Sequence, residues 1–484
     1  MSDQASAGPY SQLSEYDRPL NFGADGQMSP MDTLLWRGDS DRHHRGTLSM
    51  LEIYDCVPDW DRLVAAHEWG SRMLPRLRQR VVDSPLGTGI PSWVVDPEFD
   101  LHYHVRRLRL AGDGSIRELL TTCEQLAMTA LDPERSPWEV YLIDGLPDGR
   151  GAYLLKAHQA LTGAMSSISI LAQLHSRQRE PLPGKPQPPA PTPSTTGAVD
   201  ILVRQLSHEV QRAPHRIDLA IRGAMALADP RKALSQVLRF GRSVPRVAGL
   251  ISPPGSPLLA ERSLSWRFAA VEVPFAAIEA ASAEIRASVD EVYLGGLVSG
   301  LRLYHQRLGQ PVEAIPVAVP IVVRDPDNPN ETRVSIGRLA GPTGIDDPFE
   351  RVLTVREQIR AARNEPAVNA FHDVGPMLAW LPGQVVGQFS GATTRNDLQA
   401  SNVGGIEWES YVAGAKVERM FAFGPLPGCA IMATMVTYNG TSCIGINYDA
   451  AAVTDPELFA ESVVDGFNEV LALSDTVGRM TRFT

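Results

Sequence analysis

A proline-rich break at residues 181–197 most constrains what this chain can fold into. The break contains almost no large apolar residues, and its clustered prolines favour an extended, semi-rigid linker. Mixed strand and helix patterns lie on both sides of it, and 484 residues suffice for two or three domains of about 150 residues. We therefore predict two α/β domains, at residues 1–180 and 261–484, joined by a linker and helical segment at 181–260.

The spacing of apolar residues predicts the main elements of both halves. Apolar residues three and four positions apart predict a helix over residues 117–130. Two apolar runs separated by Gly145-Leu146-Pro147-Asp148-Gly149 predict a hairpin of strands 139–144 and 152–157. In the second half, the predicted helices are 275–287, 291–308 and 456–473, and the predicted strands are 315–323, 430–438 and 442–448.

Composition argues against several classes of protein. The net charge of −11 and the isoelectric point of about 5.5 argue against nucleic-acid binding by the whole chain. The four cysteines lie far apart and form no CxxC pair, so we expect neither a disulfide framework nor a metal site. The N-terminus lacks a secretory signal pattern, and no apolar run reaches the roughly 18–20 residues that span a bilayer. We expect a cytoplasmic protein, with membrane contact limited to the inner face.

Positive charge is concentrated in one segment after the linker. Residues 200–250 carry eight arginines and one lysine against four acidic residues, a net charge of +5. Five of these cations alternate with apolar residues: Arg231, Lys232, Arg239, Arg242 and Arg246. This pattern suits contact with phosphate, on coenzyme A or on the anionic head groups of a membrane or lipid droplet. It also suits a solvated basic helix face.

The most informative stretch is residues 154–164, where an apolar strand leads a histidine, His158, into a turn of small residues. With His158 in the first histidine position, the stretch resembles the HHxxxDG motif of the bacterial wax ester synthase/diacylglycerol acyltransferase (WS/DGAT) family, within the CoA-dependent acyltransferase superfamily. Other stretches resemble further blocks of that family, in order along the chain. They are Ser29-Pro30-Met31-Asp32, Phe99-Asp100, His104-Val105, Leu131-Asp132-Pro133, Trp138-Glu139, Asp290, Pro320 with Arg324, Asp347-Pro348 with Arg351, and Ser401-Asn402-Val403.

This resemblance implies both a fold and an activity. The implied fold is α/β, with two chloramphenicol-acetyltransferase-like domains and a channel between them. The implied activity is acyl-CoA-dependent O-acyl transfer to diacylglycerol or a long-chain alcohol, with acyl-CoA as substrate and no cofactor. The implied reaction-centre residues are His158 and Gln159, and the implied substrate-binding residues are Thr162, Gly163, Arg324, Ser401 and Asn402.

The motif departs from the family pattern at the position that carries the chemistry. In the family, the second histidine is the general base for the attacking hydroxyl; Gln159 stands at that position and Gly163 replaces the aspartate. An amide does not take up a proton near neutral pH. Three hypotheses stay open: a weak or inactive acyltransferase, a non-catalytic acyl-CoA- or lipid-binding paralogue that regulates or pairs with an active acyltransferase, and an acyltransferase whose substrate amine is its own base.

Three of these residues have a structural interpretation beside the functional one. His158 is either a site residue or a hydrogen-bonded core histidine at a strand end. Asn402 either binds substrate or caps a strand. Trp138 is expected to pack in the core rather than to line a site.

Overall fold

The computed structural model describes residues 26–83, 90–162, 175–180, 187–193, 253–324, 332–365, 396–475 and 478–483. These residues form two mixed sheets whose faces pack together, with four helices against the outer face of the second sheet and the helix Ile116–Met128 packed against residues of both sheets. Gly163 and the basic cluster at 231–246 lie outside the described residues.

Strands and helices are numbered in chain order. The strands are β1 (Thr47–Tyr54), β2 (Gln79–Val82), β3 (Ser92–Val95), β4 (Val105–Arg109), β5 (Trp138–Asp144), β6 (Gly151–His158), β7 (Trp266–Pro274), β8 (Ile315–Arg324), β9 (Thr332–Gly341), β10 (Leu398–Ile406), β11 (Tyr411–Val412), β12 (Ala415–Phe423), β13 (Ile431–Tyr438), β14 (Thr441–Asp449) and β15 (Thr481–Arg482). The helices are α1 (Pro30–Gly38), α2 (Trp60–Met73), α3 (Leu101–His104), α4 (Ile116–Met128), α5 (Gln159–Thr162), α6 (Phe275–Glu284), α7 (Val289–Arg307), α8 (Pro348–Arg363) and α9 (Pro456–Leu471).

The first sheet has six strands in the order β11-β12-β1-β6-β5-β4. Its neighbours are antiparallel except for the parallel pair β4 and β5. On β1, Ser49 lies opposite Phe423 of β12 on one side and opposite Lys156 of β6 on the other. Strand β6, which ends at His158, therefore lies in the middle of this sheet.

Two strands of the first sheet come from the second half of the chain. The sequence-based division groups residues 261–484, whereas the structure places β11 and β12 beside β1. The side chains of Phe421 and Phe423 explain this position, because both are fully buried against apolar residues between the two sheets. The Phe423 ring stacks on Phe268 with 4.0 Å between ring centroids. A local pattern predicts a strand but does not say which sheet it joins.

The second sheet has seven strands in the order β15-β7-β14-β13-β10-β8-β9. Its outer face packs against helices α6 to α9. Helix α7 begins at a capping box, in which Ser288 and Glu291 each bond the other's backbone N–H. Small residues let α7 and α9 approach closely: a Cβ on Gly300 would lie 2.6 Å from the Cα of Val463. Gly300 is therefore a packing requirement of this helix pair.

The inner faces of the two sheets form what we call the inter-sheet layer. It includes Leu154 of β6, Phe421 of β12, Met432 of β13 and Cys443 of β14. The backbones come within contact distance at one point, where a Cβ on Gly445 would lie 2.2 Å from a backbone oxygen of β12. Because side chains alternate along a strand, His158 and Lys156 project from β6 on the same side as Leu154, towards this layer.

The predicted elements that fall on described residues are confirmed, with ends shifted by a few residues. The helix predicted at 117–130 is α4, and the predicted hairpin is β5 and β6, joined through Gly145. The second-half predictions correspond to α6, α7, β8, β13, β14 and α9. No helix in the described ranges is both long and apolar enough to cross a membrane.

Candidate active site

The imidazole of His158 is buried, and within the described residues one of its two ring nitrogens, Nδ1, forms a hydrogen bond. Its Nδ1 accepts the backbone N–H of Ala160 at 3.0 Å, which requires an unprotonated Nδ1. The neutral ring then carries its proton on Nε2, which lies 3.3 Å from Oδ1 of Asp39. The Trp36 ring packs edge-on at 4.9 Å between centroids, and 2% of the His158 side chain is exposed. These contacts leave the ring no lone pair directed at a substrate.

The turn before β1 fixes the motif from the other side. Gly46 donates its N–H to Oδ1 of Asp39 at 2.6 Å and accepts the N–H of Gln159 through its carbonyl at 2.8 Å. A Cβ at position 46 would lie 2.8 Å from Nε2 of His158, so the site requires glycine there. Sequence reasoning missed Asp39 and Gly46, because neither has a spacing that connects it to the motif more than 100 residues later.

The block at residues 29–32 begins helix α1 and brings a second carboxylate towards the motif. The Ser29 hydroxyl donates to Oδ2 of Asp32 at 2.7 Å and accepts the Asp32 N–H at 3.0 Å. Burial raises the pKa of Asp32, while the Ser29 hydroxyl and the nearby Arg76 and His158 act in the opposite direction. This block therefore caps the helix that carries Trp36 and leads into Asp39.

Gln159 begins the short helix α5 directly after His158 and is partly exposed. Its amide donates and accepts hydrogen bonds and does not take up a proton near neutral pH. Thr162 ends the same helix, two residues after Ala160. The structure thus places His158, Gln159 and Thr162 within one strand-to-helix turn.

Behind the motif, β5 and β6 carry a buried ion pair that sequence reasoning missed. Glu139 and Lys156 lie opposite each other, and Nζ of Lys156 donates to Oε2 of Glu139 at 3.2 Å. Tyr141 donates its hydroxyl to the same oxygen at 2.7 Å. Burial lowers the pKa of Lys156, and the Glu139 carboxylate opposes that shift. The predicted hairpin contained the signal, because a turn centred on residues 147–148 places positions 139 and 156 opposite each other.

Three of the motif blocks in the first half meet in one ring stack. His104 lies between Phe99, at 4.9 Å, and Trp138, at 4.5 Å between ring centroids. Nδ1 of His104 donates to the Trp138 carbonyl at 2.7 Å, and the Trp138 indole N–H donates to the Leu77 carbonyl at 2.7 Å. Trp138 is 2% exposed, so this residue packs in the core, as expected.

In the second half, the structure brings together two blocks that lie 112 residues apart. Nδ2 of Asn402 on β10 donates to Oδ1 of Asp290 on α7 at 2.9 Å. Asn402 also accepts the N–H of Gly404 at 3.2 Å, where Gly404 has a φ of +77° and the β10–β13 register shifts. Asn402 therefore bonds to the protein at a strand irregularity. The neighbouring Ser401 lies opposite Thr434 of β13.

No described contact joins Arg324 or Arg351 to the motif. Arg324 ends β8, where its backbone lies opposite Thr332. Arg351 follows the N-cap Asp347 on α8 and is fully buried, and it donates to the carbonyls of Ile345 at 2.9 Å and Asp346 at 2.7 Å. Asp347 and Arg351 therefore stabilise the start of helix α8.

Comparison with known proteins supplies the family. A family model for the wax ester synthase/diacylglycerol acyltransferase catalytic domain matches residues 28–293, and the WS/DGAT C-terminal domain matches residues 333–470. A Mycobacterium tuberculosis protein that carries the name diacylglycerol O-acyltransferase is 36% identical over 454 residues, which cover 93% of this chain and 92% of that protein.

Two solved structures have the same fold. The wax ester synthase/diacylglycerol acyltransferase of Marinobacter aquaeolei aligns with a TM-score of 0.61 at 21% identity, covering 92% of this chain and 98% of its own. A starter condensation domain of rhizomide synthetase, a mutant in complex with C8-CoA, aligns with a TM-score of 0.54 at 12% identity, covering 94% and 96%. The predicted two-domain α/β fold is confirmed. The chain belongs to the wax ester synthase/diacylglycerol acyltransferase family, whose members are acyltransferases.

Proposed function

We propose that this protein binds acyl-CoA between its two sheets and transfers the acyl group to the hydroxyl of diacylglycerol or a long-chain alcohol, at a strongly reduced rate. We infer the reduced rate from the contacts of the two ring nitrogens of His158. Its Nδ1 lone pair accepts the Ala160 N–H, and its Nε2 faces Asp39. The following residue, Gln159, is an amide.

The expected reduction follows from the chemistry of acyl transfer. A hydroxyl attacks the thioester carbon, and the hydroxyl proton must leave as the new C–O bond forms. A positioned base contributes about 10²–10⁴-fold to such a step. With neither His158 nor Gln159 free to take the proton, water or the departing thiolate takes it. Gln159 still serves this slow reaction, because its amide donates a hydrogen bond to the thioester carbonyl or accepts one from the hydroxyl.

The same observation favours a second candidate, a non-catalytic acyl-CoA- or lipid-binding paralogue that regulates or pairs with an active acyltransferase. In this candidate, the contacts of His158 with Ala160 and Asp39 serve only to hold the turn. The two candidates differ in acyl transfer and agree in acyl-CoA binding.

One experiment separates the two candidates. Purified full-length protein is incubated with palmitoyl-CoA and either diolein or hexadecanol, and release of free CoA is followed beside palmitoyl-CoA binding. The proposal predicts binding together with slow CoA release that requires the acceptor. Binding with release equal to the protein-free blank would establish the non-catalytic paralogue. Release at a rate unaffected by Gln159→Ala would contradict the role given to Gln159.

We also propose that the protein is cytoplasmic and contacts anionic membrane or lipid-droplet surfaces through the basic cluster at 231–246. Five cations with no acidic residue over this range support the proposal, because each basic residue near an anionic surface contributes about 1 kcal/mol. Co-sedimentation with phosphatidylglycerol liposomes should weaken when Arg239, Arg242 and Arg246 become Glu. Equal binding of the triple variant would refute this contact.

A further inference from the structure

Two polar side chains of the second sheet project into the apolar inter-sheet layer. Thr434 follows Met432 by two positions on β13, and Asn447 follows Gly445 by two positions on β14. Met432 belongs to the inter-sheet layer, so alternation along the strand places Thr434 on the same face. Asn447 reaches the first sheet directly, because its Nδ2 donates to the carbonyl of Gly424 at 2.8 Å.

Each of these side chains keeps one polar atom unpaired although it is buried. Thr434 is 4% exposed and Asn447 is 0% exposed. Within the part of the chain that the structure describes, neither Oγ1 of Thr434 nor Oδ1 of Asn447 has a hydrogen-bond partner. An unmet buried polar group destabilises a protein, so a pair of them on neighbouring strands of one sheet face points to a polar ligand.

The unpaired atoms lie on the motif's side of the molecule. A Cβ on Gly424 would lie 3.4 Å from Oγ1 of Thr434, so the hydroxyl is next to the residue that follows β12. The preceding residue of β12 lies opposite Ser49 of β1, and Ser49 lies opposite Lys156 of β6. Within the first sheet, β12 lies two strand spacings, about 10 Å, from the strand that ends at His158, so the Thr434 hydroxyl adjoins the end of a strand close to the motif.

We propose that Thr434 and Asn447 form a polar subsite for the thioester and pantetheine end of an acyl-CoA. The Thr434 hydroxyl donates to the thioester carbonyl, and Oδ1 of Asn447 accepts the first amide N–H of the pantetheine arm. This inference rests on the proposed binding of acyl-CoA between the sheets.

The chemistry of the two atoms selects acyl-CoA over a long-chain alcohol. A hydroxyl and an amide oxygen together match a ligand that presents an acceptor and a donor along one chain, as a thioester followed by an amide does. A long-chain alcohol has a single hydroxyl, which can meet only one of the two atoms at a time. Thr434 and Asn447 are diagonal neighbours across β13 and β14, about 7–8 Å apart at Cα, so two separate groups of one extended ligand are required.

The test uses full-length protein and a palmitoyl-CoA thioether analogue, whose methylene in place of the carbonyl removes one of the two contacts, beside palmitoyl-CoA itself. Thr434→Val keeps the shape and removes the hydroxyl, and we expect about tenfold weaker binding of palmitoyl-CoA with little change for the analogue. Asn447→Leu should weaken binding of both ligands. The matched control is Thr437→Val on the same strand, whose hydroxyl already pairs with Ser442 at 3.2 Å.

Thermal unfolding without ligand is measured for each variant. Because Thr434→Val removes an unmet polar atom, its Tm should stay equal or rise, so weaker binding would not reflect misfolding. Equal palmitoyl-CoA affinity of wild type and Thr434→Val would overturn this inference and leave the proposed function standing. Absence of palmitoyl-CoA binding by the wild type would overturn the proposed function and this inference together.

Discussion

The two faces of the inter-sheet layer differ in how their polar groups are satisfied. On the first sheet, His158 bonds the Ala160 N–H and faces Asp39, and Lys156 bonds Glu139. On the second sheet, Thr434 and Asn447 each keep a buried atom without a described partner. On the motif face these polar groups lie beside a carboxylate, although Nε2 of His158 forms no hydrogen bond within the described residues. The unpaired atoms of the facing strands belong to neutral side chains that form no ion pair.

This difference separates binding from catalysis in one fold. A family member that keeps the proposed polar surface on β13 and β14 while the base at position 159 is replaced would bind a substrate without turning it over efficiently. The largest expected effect, on the rate of CoA release, comes from restoring a general base at position 159.

Restoring the motif by Gln159→His with Gly163→Asp should raise CoA release from palmitoyl-CoA and diolein by about 10²–10⁴-fold. An imidazole at position 159 takes up a proton near neutral pH, and an aspartate at 163 reinstates the carboxylate of the family pattern. The measurement is the initial rate of CoA release at pH 7. Gln159→Asn is the control that keeps an amide and should give no increase. An inactive double variant that still binds palmitoyl-CoA would show that more than the base is missing.

Acid should destabilise the first half of the molecule through two buried histidines. Burial lowers the pKa of His67 and of His104 to about 4, below the ordinary 6.5. The unfolded chain therefore takes up these protons first as the pH falls from 6.5 to 4, and each histidine contributes about 3 kcal/mol that is lost across this window. Urea unfolding at pH 7, 5.5 and 4 measures the loss.

The second half opposes this dependence through Asp397. Burial raises the pKa of Asp397 to about 6, against the Ser256 N–H and Arg262, so the folded chain binds this proton first as the pH falls below 6. Two histidines outweigh one carboxyl, and the free energy of unfolding should still fall with acid. His104→Phe should make the pH slope shallower and Asp397→Asn should make it steeper. A slope unchanged in both variants would contradict the assignment.

The contact between the two faces should be sensitive to a single methyl group. In Gly445→Ala the Cβ would lie 2.2 Å from the Ala422 carbonyl oxygen and 3.1 Å from the Phe423 ring, and the backbone oxygen has little freedom to move. We expect the free energy of unfolding to fall by about 2–3 kcal/mol. Gly38→Ala is the control, since its nearest atom is 3.8 Å away and the change should stay within about 0.5 kcal/mol. Equal urea midpoints for the two variants would contradict this prediction and show that the backbone at this contact relaxes without cost.

The fold was predictable from the sequence where the signal is local. The periodicity of α4 and the turn at residues 145–149 predicted these elements, and the register across that turn carried a signal for the Glu139–Lys156 pair that was missed from the sequence. The family motif placed His158 at a strand end, as observed.

Other features depend on tertiary neighbours and have no local signal. The membership of β12 in the first sheet is decided by Phe421 and Phe423 packing between the sheets. The approach of Asp39 to Nε2 of His158 depends on the folded turn between α1 and β1. That the Thr434 hydroxyl has no partner among the described residues is a property of its surroundings, since a threonine in an apolar strand looks the same in the sequence whether its hydroxyl is bonded or not.

The smallest expected effect concerns the exposed pair Asn402 and Asp290, which tests whether a polar contact outside the layer stabilises the second half. Both residues are exposed, so their 2.9 Å hydrogen bond should contribute only about 0.5–1 kcal/mol. A double-mutant cycle with Asn402→Ala and Asp290→Ala, read by urea unfolding, measures the coupling. Palmitoyl-CoA affinity of the same variants decides between the two roles of Asn402. A strand cap leaves the affinity unchanged, whereas a substrate ligand lowers it in Asn402→Ala beyond the loss in Asp290→Ala.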